Sequence, residues 1–211
     1  MPVVADWMRV WDMWATADWD DAIALSDKAI RSVQQGYDRG DPLAVRAWGS
    51  LQLRAGVSAA RGGGKAEAKD RIKHARDAAE RMTEAVGSPV YDRHSLTFSP
   101  GNVQIHAISV ALEMHEQREA LSINRRTSKE LIASLPNSRQ GHHHMDLARA
   151  WPWDGNRDKA LKELGTAEHI APQLVRNHPI ARSTLRSIVY AERAGTREKL
   201  RRMSDRFHPV G

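Results

Sequence analysis

The sequence predicts an all-α fold, arranged as an array of about five antiparallel helix hairpins. Three observations carry that expectation. Apolar residues recur at three- and four-residue intervals through most of the 211 residues, strand signals are almost absent, and short glycine- or proline-bearing segments punctuate the periodic stretches.

Taken in order, Trp7, Trp11 and Trp14 fall at i, i+4 and i+7, on one face of a first helix. Ala22, Leu25, Ala29 and Val33 resume the spacing after a break near Thr16 to Trp19. A helix from about Pro42 to Ala60 and another from about Ala66 to Ala85 flank the loop RGGGK. The Gly-Ser-Pro segment at 87–89 and the SPGN turn at 99–102 bracket the longest irregular region, where YDRHSLTF is the one stretch able to be extended. Val103 to Met114 pairs with Arg118 to Leu135, and Arg139 to Trp151 with Arg157 to Ile170. The closing helices run from about Gln173 to Ala194 and from Thr196 to Phe207.

One hairpin carries the spacing of a tetratricopeptide repeat. His144, Leu147, Ala148 and Trp151 supply the large, leucine, small and aromatic positions of its first helix. Ala160, Leu164, Ala167 and Pro172 supply those of the second, with Gly155 in the turn. Small residues let the two helices approach, large ones fill the gaps between hairpins, and proline ends the second helix. Ala22 with Ala29, Gly63 with Ala68 and Ala75, and Ala120 with Thr127 are degenerate copies at unequal intervals, so the predicted superhelix is irregular. Residues 1–211 are expected to form one such repeat domain.

Apolar content of 41% suffices for a core, and the absence of cysteine excludes disulfides, thiolate metal sites and a thiol nucleophile, in keeping with a reducing cytoplasm. The N-terminal run MPVVADWMRVWDMW is broken by Asp6, Arg9 and Asp12, unlike a signal peptide, and no stretch approaches the roughly 18 apolar residues that would span a bilayer. A soluble, cytoplasmic protein is expected. The net charge of +6 comes from 32 basic and 26 acidic residues that are interspersed over most of the chain. Only the end is lopsided, with Arg186, Arg193, Arg197, Lys199, Arg201 and Arg202 against Glu192, Glu198 and Asp205. That stretch reads as a solvated basic helix or as a contact for nucleic acid or an acidic partner.

Motifs for chemistry are weak. RGGGKAEA lacks the spacing of a phosphate loop, since Ala59 and Ala66 stand where glycine and a hydroxyl residue are required, and it follows a helix. Ten histidines include the run His142, His143, His144, but neighbours on a helix point about 100° apart and no HExxH occurs, so no metal site is expected. His144 is expected to pack between hairpins, His142 to face a groove and His143 another side. The serines lie outside any GxSxG elbow, and Asp20 with Asp21 suit a helix start. No catalytic residues and no cofactor are expected.

The segments FSPGNVQIHAISVALEMHEQREAL (98–121), GHHHMDLARAW (141–151), KALKELGTAEHIAP and VRNHP (159–179) resemble the tetratricopeptide-like C-terminal regions of actinobacterial helix-turn-helix regulators of the Xre type. That resemblance implies a cytoplasmic sensory or dimerisation module controlling a DNA-binding domain. The chain opens on a repeat helix, so no helix-turn-helix domain is expected within it, and DNA would be reached only through a domain elsewhere. By the family's pattern the concave groove is lined by His142, Met145, Arg149 and Trp153 of one hairpin and Asn102, Ile105, Ser109 and Glu113 of the preceding one. An aromatic, a guanidinium, an amide and a thioether suit a peptide or amphiphilic small molecule, although any of them can equally be solvated wall. The face formed by Trp7, Trp11 and Trp14 packs on the next hairpin or forms an interface to a second protomer, a further domain or a ligand.

The expected function is therefore a non-enzymatic sensory and dimerisation domain of a transcriptional regulator. It would bind a peptide, protein or small-molecule signal and act as a homodimer. The alternative is a constitutive protein–protein interaction scaffold without a signal ligand.

Overall fold

The computed structural model describes residues 2–82, 96–190 and 197–207. Every regular element among them is helical. The predicted Gly-Ser-Pro segment, Ser95, Ala85 and most of YDRHSLTF lie outside the described residues, as do Glu192, Arg193 and Ala194. The chain divides into two compact units, one comprising residues 1–115 and 127–135 and the other 116–126 and 136–211.

The first unit contains α1 (Pro2–Thr16), α2 (Trp19–Asp38), α3 (Pro42–Arg61), α4 (Lys65–Glu80), α5 (Pro100–Glu113) and a short α7 (Lys129–Ala133). Proline in the first turn of α3 forfeits no helical hydrogen bond, and the Asp41 carboxylate caps the helix by accepting from the Ala44 amide at 2.7 Å. Every residue of α3 from Ala44 to Ala60 is buried. The reason is compositional: alanine, glycine and serine occupy all sides of this helix, so α1, α2, α4 and α5 all pack against it. At Gly49 the fit is tightest, for a Cβ built there would lie 2.1 Å from Phe98 Cζ. The Phe98 ring is itself fully buried.

The second unit contains α6 (Gln117–Arg126), α8 (Asn137–Ala150), α9 (Arg157–Ile170), α10 (Pro172–Asn177), α11 (Pro179–Tyr190) and α12 (Arg197–Phe207), with a 3-10 turn at Trp151–Asp154. Helices α8 and α9 pack closely, and Ala148, Ala160, Leu164 and Ala167 lie buried in one core with Val175, Leu185 and Met203. Gly155 turns the chain between them at φ 71°, a left-handed conformation that glycine adopts without steric cost.

Two predicted long helices are each broken. Arg118 to Leu135 divides into α6 and α7 because the Ser128 hydroxyl accepts from the Leu131 amide and restarts the helix. Gln173 to Ala194 divides at His178, which is extended at ψ 126° because a residue before proline clashes in the helical region.

Candidate functional site

The tryptophans predicted as an interface meet the inner helix of their own unit. The Arg54 guanidinium of α3 lies 3.9 Å from the centroid of the Trp7 ring, 5.1 Å from that of Trp11 and 5.3 Å from that of Trp14. Arg61, two turns further along α3, stands 4.7 Å over Trp14 and 5.6 Å over Trp19. The Trp14 indole N–H donates to Ser58 Oγ at 2.9 Å. Stacking guanidinium on indole offsets part of the cost of burying the charge. Packing within the unit therefore accounts for most of this face, and the open remainder is Trp11, 51% exposed, beside Met8 at 61%.

The residues expected to line a groove separate into different environments. Asn102 and Ile105 are buried in the first unit, where Ile105 packs with Ile132 and Leu135. Neither side chain is open to solvent. Ser109 is half-buried, and Glu113 pairs with Arg61 at 3.6 Å. On α8, Met145 belongs to the hydrophobic core. Arg149 meets Asp146 at 3.3 Å, and Trp153 projects from the 3-10 turn with 75% of its surface exposed.

The three histidines occupy distinct surroundings. His143, not His144, is the buried one, and its Nδ1 has no hydrogen-bond partner. Its ring stands edge-on to His144 at 5.2 Å. Burial pushes its pKa down to about 4, with the neighbouring His144 adding to the shift. His144 Nδ1 reaches Glu163 Oε2 on α9 at 2.6 Å. His142 meets His178 edge-to-face at 5.2 Å, and burial together with the charges of His178 and Arg139 pushes its pKa to about 4. Among the described residues no group of three or more His, Asp or Glu side chains is placed to hold a metal ion.

A concave site does occur in the second unit, between α9 and α12, where sequence reading placed none. Leu200, Met203 and Phe207 insert into the core at i, i+3 and i+7, which fastens α12 alongside α9. The charged counterpart is Glu168, a buried carboxylate that Arg206 grips with Nε–H to Oε1 and Nη2–H to Oε2, both at 2.6 Å. Arg176 donates to Oε1 at 3.0 Å. The Arg206 hydrogen bonds hold the Glu168 carboxyl below the usual carboxylate range.

Between these fastenings the helices enclose a cleft of about 710 Å³. Its uncharged lining residues are Leu161, Gly165 and Met203. A Cβ built on Gly165 would rest 3.9 Å from Met203 Cε, in ordinary van der Waals contact. Lys159 and Lys162 line it from α9 and Lys199 and Arg202 from α12, and Asp158 is the one carboxylate among the lining residues. Lys159 also stands 4.2 Å over the Trp151 ring. The volume lies in the range of ligand sites, and six of the nine lining residues are charged. The available signal in the sequence was the basic end of the chain; the missing information was which helix it faces.

No helix among the described residues is long and apolar enough to cross a membrane. No protein-family model matches the chain, and no curated protein or solved structure matches it.

Proposed function

We propose that this chain is a non-enzymatic α-helical binding domain that receives a signal ligand in the cleft between α9 and α12. The observation that carries the reading is the cleft itself, lined by Leu161, Gly165 and Met203 and by five basic side chains. The closely packed pairs α2 with α3, α3 with α4 and α8 with α9 support an irregular tetratricopeptide-like hairpin array. In this reading the domain works in the cytoplasm, as a homodimer, and relays occupancy of the cleft to the DNA-binding domain of an Xre-type regulator. The ligand is a peptide, protein or small molecule.

A constitutive scaffold is the second reading, favoured by one observation: Met8 and Trp11 stand exposed one turn apart on α1 and offer an adhesive strip. Thermal unfolding separates the two. A sensor is stabilised by its ligand, because binding to the folded state alone shifts the equilibrium, and the shift disappears when Lys162 and Lys199 are reversed to glutamate. A scaffold melts at a temperature that depends on protein concentration and on none of the ligands offered.

A further inference from the structure

We propose that His178 is a pH-sensitive cap, which holds the junction of α10 and α11 closed while its imidazole is neutral and opens it on taking up a proton. His178 is the extended residue between the two helices, and Pro179 is the first residue of α11. The Ile180 amide donates to His178 Nδ1 at 3.2 Å, and the Arg182 amide donates to the His178 carbonyl at 3.2 Å. The side chain thus does for α11 what serine or aspartate does at other helix starts: it satisfies an amide that has no partner within the helix. Nδ1 accepts only when it carries no proton, whereas an imidazolium donates from both nitrogens. Protonation therefore sets N–H against N–H and places a positive charge at the helix N-terminus, where the macrodipole opposes it.

The surroundings of the ring add to that cost. On α8, a Cβ built on Gly141 would stand 3.0 Å from Ala171 Cβ, so α8 approaches the start of α10 closely, and the next residue, His142, meets the His178 ring edge-to-face at 5.2 Å. Burial, then the charges of His178 and Arg139, hold the His142 pKa down at about 4, so His142 stays neutral where an ordinary imidazole titrates, near pH 6.5. The carboxylates of α9 engage other groups: Glu163 meets His144, and Glu168 holds Arg176 of α10 and Arg206 of α12. Glu119 of α6 pairs with Arg126. Across the junction itself, Arg182 of α11 brings a further cation, donating from Nε to the Arg176 carbonyl at 3.0 Å. Opening the junction lets the imidazole take up a proton below about pH 6.5 that the closed form excludes, so the closed form is favoured above that pH and opening gains as the pH falls.

Hydrogen exchange of the isotope-labelled full chain, followed by NMR from pH 7.5 to pH 5.5 and corrected for the intrinsic pH dependence of exchange, reads the cap at the Ile180 amide. Protection of Ile180 should fall by about tenfold over this range, the size of losing a helix cap, while Leu164 in the core of the unit keeps its protection. In His178→Asn, which keeps a capping acceptor that does not titrate, protection of Ile180 should stay constant.

Constant protection of Ile180 in the wild type, or a fall of equal size in His178→Asn, overturns the proposal. So does a joint loss at Ile180 and Leu164, which is unfolding of the whole unit. Should His178→Asn fail to fold, the wild type decides alone: the titration of the His178 ring protons and the loss of Ile180 protection must share one midpoint, and separate midpoints overturn the proposal.

Discussion

Arg206 and Glu168 join the last helix to α9 through two parallel hydrogen bonds of 2.6 Å, with the carboxylate buried and the guanidinium partly open to solvent. Removing one partner of such a pair costs more than the pair contributes, because a buried charge is left behind. Arg206→Ala is expected to lower stability by about 1–3 kcal/mol, moderated by Arg176, which still reaches Oε1. Hydrogen exchange should then show α12 opening before α8 and α9. Equal protection of all three helices would show that Leu200, Met203 and Phe207 hold α12 without the clasp.

His142 and His143 set an acid limit on the second unit. Their pKa values of about 4 lie below the ordinary 6.5, so the unfolded chain binds more protons than the folded one between those values. Stability is full above pH 6.5 and falls as the pH drops towards 4, by up to about 1.4 kcal/mol per pH unit for each histidine. Glu168 acts in the same direction at lower pH, where its lowered pKa gives stability that is present above the unfolded value and lost on protonation. Melting temperatures of wild type and His142→Gln with His143→Gln, measured from pH 7.5 to 4.5, should converge at neither end: the variant's profile is the flatter one. Parallel profiles would assign the acid sensitivity elsewhere.

At Gly49 the contact with Phe98 leaves no room for a methyl group. Gly49→Ala gains helix propensity but overpacks α3, so a net loss of about 1–3 kcal/mol is expected in urea unfolding. Phe98→Leu in the same chain should recover part of it. Additive losses would show that the ring is not the obstruction.

Trp7 and Trp11 differ in what they hold. Trp7 lies closest to the buried Arg54 guanidinium, whereas Trp11 is half open to solvent. Trp7→Ala is expected to cost about 2–4 kcal/mol and Trp11→Glu about 1 kcal/mol or less. Light scattering on the folded Trp11→Glu variant tests the homodimer: an unchanged mass removes this strip as the contact between protomers.

Trp153 and Arg149 test the groove expected from the resemblance against the cleft. Their joint replacement by alanine removes one exposed side chain and a partner of the buried Asp146 carboxylate, so a loss of about 1–3 kcal/mol is expected while the variant stays folded. Ligand binding should survive it if the cleft between α9 and α12 is the site. Loss of binding there, with Lys162→Glu and Lys199→Glu neutral, would return the site to α8.

The hairpin of α8 and α9 was legible from local pattern alone. Gly155 stands at the left-handed turn, the expected span of the second helix coincides with α9, and Ala148, Ala160 and Ala167 are buried as their spacing implied. The breaks at Ser128 and at His178 before Pro179 also carried local signals, a cap and a proline, which the longer helical periodicity outweighed.

Local periodicity therefore determined that this chain is helical and where most helices run, because hydrogen bonding and side-chain spacing within a helix are short-range properties. Tertiary structure decided what each face meets. Arg54 beneath the tryptophans, Phe98 on Gly49, and Lys162 across from Lys199 all join residues dozens of positions apart. Nothing in the spacing along one helix specifies the partner helix, so the buried histidine and the basic cleft became visible only once α8, α9 and α12 were packed.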